Sequence, residues 1–346
     1  MDKQESQMKL TEKVRQKVIM DILHGKYSPG DKLPSERDMT ELTQTSRITV
    51  RRAYDQLEKS GVIERNPKQA TRIAMSFKGN QQEISEVGVI ATLRDQFSRD
   101  FIESVHAACM ENDALITLAL ADDSAEQMQM AIKLVSRGLR NIILWGYDRG
   151  LDFDTFERIR ALGVNIVFFD RILPGPYADY VGLDNSHAVN CLIEDAVKHD
   201  ITRFIYIDVA NIVLDSNTER LQAFQRETKK RGYKNSIMSL PFMPEDKFEP
   251  LNLFHDFLIR EGDLDSTAVI CVNDIVALSI IGACPRNVPI YSIDGTRDAL
   301  QAGIISYRQP IREMAVASVK ALEKQQQKGD KWKAQKIRFK GELVRK

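Results

Sequence analysis

Ser46-Arg47-Ile48-Thr49-Val50-Arg51-Arg52-Ala53-Tyr54-Asp55-Gln56-Leu57 reads as one helix with two unlike faces. Val50, Ala53, Tyr54 and Leu57 recur at helical spacing and form its buried stripe. Arg47 and Arg51 stand one turn apart on another face, with Ser46, Thr49 and Arg52 nearby. Just upstream, Ser35 followed three residues later by Asp38 approximates a capping box, which predicts a short helix from Glu36 to Leu42. The polar turn Thr43-Gln44-Thr45 then leads to Ser46 as the next cap. Two short helices across a tight turn make a helix-turn-helix. Arginine at the start of the second helix can form a bidentate contact with guanine in the major groove. Ser46, Arg47, Thr49 and Arg51 are therefore candidate DNA contacts. Further upstream, Leu10, Val14, Val18, Ile22 and Leu23 predict a first helix that stops at His24-Gly25, with Gly25 as its C-cap. Tyr27-Ser28-Pro29-Gly30 supplies a turn.

The charge distribution agrees with such a head. The chain carries 49 Lys+Arg and 49 Asp+Glu over 346 residues, a formal net charge of zero. Residues 1–75 hold 15 basic and 11 acidic residues, so the head is basic and the remainder acidic. That asymmetry is expected when only the head meets phosphates. The length suits more than one domain. We expect a head at 1–75, a polar linker at 76–85 and a body at 86–346.

In the body, short apolar runs alternate with helical patterns. Val87–Ala91, Leu115–Leu120, Asn141–Trp145 and Asn165–Phe169 read as strands, as do Phe204–Ile207, Ala268–Val272 and Ile290–Ile293. Helices are expected at Phe101–Met110, Glu126–Arg137 and Phe153–Leu162. The βαβ rhythm predicts parallel sheets with helices on both faces, and the length suits two lobes. Ligands of such sheets sit beyond the carboxyl ends of the strands. Arg94, Asp95, Gln96 and Phe97 stand there, as do Trp145, Asp170, Arg171, Asn273 and Asp294; Arg220 is expected to start a helix after a loop at Asp208–Asn217. Turn chemistry alone explains any single Asp or Asn. As a set, they offer paired hydrogen bonds for hydroxyls and a flat apolar face for a sugar ring.

The four cysteines and five histidines show no metal-ligand spacing, and the cysteines read as reduced core thiols. The polar N-terminus shows no export-signal core, and no apolar run spans a bilayer, so a cytoplasmic protein without membrane contact is expected. No metal and no cofactor are expected. Nor is there a Gly-x-Gly-x-x-Gly, Walker or Gly-x-Ser-x-Gly motif. Asp122-Asp123 reads as an exposed loop pair rather than a catalytic one.

Residues 10–65 closely resemble the GntR-type winged helix-turn-helix. Tyr27 to Arg37, Ser46 to Leu57 and Gly61-Val62-Ile63 carry the likeness. The resemblance implies that Arg37 holds a phosphate, that Arg47 reads a base, and that Ser46, Thr49 and Arg51 touch backbone or base edges. It also implies a wing after Ile63, with Lys68 entering the minor groove. Family wings carry glycines at the tip; Arg65 to Thr71 has none. Residues 86–345 resemble, more loosely, the LacI/GalR effector domain, which has the two-lobed type I fold of periplasmic sugar-binding proteins. The signposts are Val164 to Arg171, Val181 to Asn185, Glu219 to Phe224, Val272 to Ala277, Ile290 to Gly295 and Tyr307 to Pro310. This likeness implies effector contacts from Asp95, Phe97, Trp145, Asp170, Arg220, Asn273 and Asp294. It also implies lobe crossings at Asp184-Asn185 and Gln309-Pro310. A GntR-type head on such a body is similar to the arrangement of arabinose-type repressors.

The expected function is a repressor of double-stranded operator DNA, switched by a small sugar bound between the lobes. Asp95, Asp170 and Asp294 favour a neutral polyol. A phosphorylated sugar or a nucleoside is the alternative, and a DNA-binding protein with an enzymatic body a remoter one. A homodimer is expected because operators are usually two-fold. Helix Phe101–Met110 and the apolar positions of Ile275–Ile281 are candidate interface elements by family position.

Overall fold

The computed structural model describes residues 2–66, 70–74, 83–241, 246 and 248–346, with side chains from Leu10 onward. The head holds helices α1 (Asp2–Leu23), α2 (Glu36–Thr43) and α3 (Arg47–Lys59), then strands β1 (Ile63–Glu64) and β2 (Arg72–Ile73). α1 ends in a Schellman turn, with Lys26 N–H donating to Asp21 O and Gly25 N–H to Ile22 O. Gly25 takes φ 74°, a conformation that favours glycine. The Ser35–Asp38 capping box closes in both directions. Val14, Val18, Met39, Val50, Ala53, Tyr54 and Leu57 are wholly buried and form the head's core. β1 and β2 pair antiparallel as the base of the wing, while residues 67–69, including Lys68, lie outside the described residues. So does most of the expected linker; within it, Ile84 is buried.

The body alternates strand and helix. In order it runs β3 (Glu86–Ala91), α4 (Gln96–Met110), β4 (Leu115–Leu120), α5 (Ser124–Ser136), β5 (Asn141–Leu144), α6 (Phe153–Ala161), β6 (Asn165–Phe169) and β7 (Asp179–Leu183). There follow α7 (Asn185–Val197), β8 (Arg203–Val209), α8 (Asp215–Arg231), β9 (Lys234–Leu240), α9 (Glu249–Glu261), β10 (Thr267–Cys271) and α10 (Asp274–Ile280). β11 (Ile290–Asp294), α11 (Arg297–Gln301), β12 (Ile305–Arg308), α12 (Ile311–Lys328), β13 (Lys336–Phe339) and β14 (Glu342–Val344) complete it. Two six-stranded sheets result, ordered β13-β7-β6-β5-β3-β4 and β14-β12-β11-β10-β8-β9. All pairings in them are parallel except β12 with β14.

Alternation within each strand assigns side chains to the two faces of the first sheet. Val87, Val89, Ile143, Val167 and Phe169 share a core with Phe101 and Val105 of α4 and Val319 and Leu322 of α12. Ile90, Ile142, Ile166 and Phe168 belong to the opposite core, with Val135 of α5 and Phe156 and Ile159 of α6. The chain passes between sheets at 184–185 and 309–310, as expected, and a third time between β13 and β14. In both sheets the strand order reverses beside the first strand of the lobe, β3 in one and β8 in the other. The crevices so formed face the same cleft.

Some elements differ from the sequence reading. The loop expected at 208–217 is shorter at both ends, since β8 runs on through Val209 and α8 begins at Asp215; Arg220 therefore lies in the second turn of α8, not at its start. Asp122 and Asp123 are exposed in the bend before α5, as expected; there Asp123 caps α5, and Asp122 accepts from Arg94 and Thr92. Cys109 and Cys271 are buried thiols, but Cys191 and Cys284 are only half-buried.

Candidate ligand cleft and nucleic-acid interface

One narrow cleft lies between the lobes. Asp95, Phe97, Trp145, Asp170, Arg220, Asn273 and Asp294 all line it. The seven come from six places along the chain, brought together because each lies at a strand end or in the first two turns of the helix after one. Two of them also cap helices. Asp95 accepts from Ser98 N–H at 2.6 Å and Asn273 from Val276 N–H at 3.0 Å. Turn chemistry and cleft lining are thus served by the same side chains.

The cleft is lined with unsatisfied polar atoms. Asp170 is 4% exposed and holds φ 61°, and its Oδ1 closes no hydrogen bond within the protein. Burial pushes its pKa up, while Arg220 and Arg171 oppose that shift. The Trp145 indole N–H lies close enough to favour the charged form of Asp170, yet it too closes no bond. Asp294 holds φ 137° and accepts from Gln309 Nε2 at 3.0 Å, while Gln309 Oε1 is left without a donor. Burial raises the Asp294 pKa well above the usual carboxylate range, the Asp274 charge raises it further, and Arg220 pulls it down. Backbone strain and unmet hydrogen-bonding capacity are concentrated in this one cleft, which makes it the candidate ligand site.

Arg220 organises the floor. Its Nε donates to Asn185 Oδ1 and its Nη1 to Val272 O, both at 2.8 Å. It thereby ties the crossing at Asn185 to the end of β10. Trp145 and Phe97 supply the apolar wall, with ring centroids 5.6 Å apart. Arg171 lies over the Trp145 ring, 3.9 Å from its centroid. Ser216 and Asn217 are buried cleft groups that the sequence reading left in a loop, and Gln309 adjoins the cleft through Asp294. Arg171, read among the strand-end residues, also lines it.

In the head, Arg47 and Arg51 are exposed on α3 and both lean on Glu36, at 3.5 and 3.2 Å. Arg37 is exposed and pairs weakly with Glu41 at 3.6 Å. Ser46 is exposed and caps α3 through Thr49 N–H. Thr49 corrects the sequence reading: it is 1% exposed, and its hydroxyl bonds Ser46 Oγ at 2.8 Å, so it faces inward. Its place among the outward groups is taken by Ile48, 60% exposed beside Arg47. An apolar side chain there suits a thymine methyl.

Residues 10–73 match the family described as bacterial regulatory proteins, gntR family. The head is a gntR-family domain. Over 328 residues the chain is 20% identical to an arabinose metabolism transcriptional repressor of Geobacillus stearothermophilus, covering 89% of each. The body shares its fold with a LacI transcriptional regulator from a Rhodococcus species, at TM-score 0.65 and 20% identity, over 75% of this chain and 96% of that one. It also matches the periplasmic binding protein of an arabinose transporter from Shewanella sp. ANA-3, solved with L-arabinofuranose. That likeness has TM-score 0.65 and 16% identity, over 75% of this chain and 91% of that one. The chain is a transcription regulator that joins a gntR-type head to a two-lobed, periplasmic-binding-protein-like body. Among its described residues, no helix is long and apolar enough to cross a membrane.

Proposed function

We propose that the chain is a repressor whose hold on operator DNA is released by a small neutral sugar bound between the lobes. The cleft carries this reading: it presents unmet donors and acceptors at Trp145, Asp170 and Gln309 beside the Trp145–Phe97 wall. A ring with several hydroxyls satisfies carboxylates as donor and guanidinium groups as acceptor, which an apolar ligand cannot do. Three carboxyl groups in the lining, Asp95, Asp170 and Asp294, oppose an added anion. The name of the Geobacillus relative and the ligand of the Shewanella protein direct the first trials to pentoses.

Thermal unfolding against millimolar sugars, sugar phosphates and nucleosides tests the reading. Selective binding stabilises by about 2.7 kcal/mol at a hundredfold excess over Kd. A neutral sugar should raise Tm in the wild type and not in Asp170→Ala. A rise with phosphorylated compounds alone overturns the neutral-sugar assignment.

We further propose a homodimer. Leu115, Leu118 and Leu120 are 69%, 40% and 48% exposed on β4, which is an edge strand. An apolar strand with an open backbone edge favours a second copy. The elements expected from sequence keep much of their apolar surface inward: Phe101, Val105 and Cys109 of α4 and Ile280 of α10 are buried. Leu118→Asp should convert a dimer to monomer in sedimentation at micromolar concentration. Unchanged sedimentation of this variant would move the interface elsewhere.

A further inference from the structure

The head does not hang free of the body. Helix α1 packs against α5 and α6 of the first lobe, and residues of all three share one apolar core. Arg158 of α6 donates through Nε to Leu23 O at 3.0 Å. Leu23 ends a helix with no basic residue in its last turn, so Arg158 supplies the cation and donor that α1 lacks. At the other contact, Arg15 of α1 reaches Ser136 O, the end of α5, at 3.4 Å.

Both carrier helices are tied to one loop, residues 146–152, which follows Trp145. Gln127 of α5 is fully buried and holds both sides of that junction. It donates to Trp145 O at 3.0 Å and accepts from Tyr147 N–H at 2.8 Å. Ser124, also on α5, donates to Asp148. Asp152 ends the loop, caps α6 through Thr155 and pairs with Arg158 at 3.5 Å.

The second lobe grips this same loop across the mouth of the cleft. Arg149 N–H donates to Val213 O at 3.1 Å, and Arg149 Nη1 pairs with Asp215 Oδ1 at 3.4 Å. Asp215 Oδ2 also accepts from Leu173 N–H of the first lobe at 2.8 Å. Leu214 and Ser216, the neighbours of Asp215, line the cleft.

We propose that loop 146–152 is the relay by which the relative position of the two lobes reaches the DNA-binding head. Asp215 grips the loop from the second lobe, Gln127 and Asp152 pass its position to α5 and α6, and those helices carry α1. The seam is poised rather than locked. Arg140 Nη1 is buried there without a partner, and the nearby Arg15 charge adds to burial in lowering the Arg140 pKa. A small shift of α5 against α1 changes that repulsion. Rigid elements meeting at a seam with competing terms give a docking equilibrium that lobe closure can bias. That closure is ligand-driven rests on the cleft reading above; the mechanical linkage itself does not.

Hydrogen–deuterium exchange of the full chain without ligand tests the relay. Asp215→Ala removes two grips and Arg149→Ala one, and neither residue lines the cleft. In both variants the amides of residues 14–23 should exchange at least threefold faster, with the larger change in Asp215→Ala. Residues 311–328 of α12, on the opposite face, should keep their rates. Equal rates in α1, or equal acceleration in α12, overturn the relay. A parallel calorimetric titration of the wild type with L-arabinose separates the two ideas. No heat with a responding α1 counts against an arabinose ligand and keeps the relay. Binding with an unresponsive α1 keeps the cleft and removes the relay.

Discussion

Arg220→Ala should both destabilise the protein and abolish its response to ligand. The side chain is 3% exposed and its two hydrogen bonds hold Asn185 and the end of β10 in place. Its charge also lowers the pKa of Asp170, Asp208 and Asp294, which burial drives upward. Removing one partner from a buried charged network costs about 3–5 kcal/mol, because the remaining charges lose their compensation. At roughly 2–4 °C per kcal/mol for a protein of 150–250 residues, a fall in Tm on the order of 10 °C is expected.

The pH dependence shows whether charge or packing sets that cost. An acid whose folded pKa lies above its unfolded value holds more protons in the folded state across the interval between the two. Stability then falls as pH rises through that interval. Without Arg220 the folded pKa values rise further, so the interval widens upward. The Tm deficit of Arg220→Ala should therefore be larger at pH 7.5 than at pH 5.5. Arg220→Lys should recover part of it, since it keeps charge without the two-point fork. A deficit equal at both pH values, and unrelieved by lysine, would assign the loss to packing.

The head was legible almost residue by residue because its signals are local. Capping at Ser35 and Ser46, the stop at Gly25 and the apolar stripe of α3 each depend on neighbours within one or two turns. Thr49 misled because a threonine three residues after an N-cap can face outward or close the cap, and only the three-dimensional turn decides. In the body, β3 to β6, β8, β10 and β11 showed as apolar runs, whereas β7 and β12, broken by Gly182 and Ser306, did not. The edge strand β9 did not, since Lys234, Asn235 and Ser236 open it and only one face needs apolar residues. The cleft residues were found from the rule for strand ends. Gln309 was read only as a lobe crossing, because its bond to Asp294 arises from segments that meet only after folding. Docking of the head was hidden for the same reason: Ile19 and Met20 widen the apolar face of α1, but nothing local names what covers it.

On DNA, Arg47→Ala and Arg37→Ala should fail in different ways. Arg47 opens α3, the helix that enters the major groove in this kind of head, and its side chain is 70% exposed. A bidentate contact with guanine is worth about 1–3 kcal/mol of discrimination. Against a duplex selected by the wild type from a random-sequence pool, Arg47→Ala should bind roughly 10- to 100-fold more weakly. Its affinity for unrelated DNA should change much less. Arg37, 84% exposed at the start of α2, is placed for a phosphate. Its loss should weaken selected and unrelated duplexes alike and lower the slope of log affinity against log salt by about one. Glu36 adds a third arm, because it holds Arg47 and Arg51 when no DNA is bound. DNA must displace that carboxylate, so Glu36→Gln should tighten binding to both kinds of duplex. Titrations at several salt concentrations measure all three variants. Equal loss of selected and unrelated binding in Arg47→Ala would reassign Arg47 to the backbone and leave base reading to Arg51 and its neighbours.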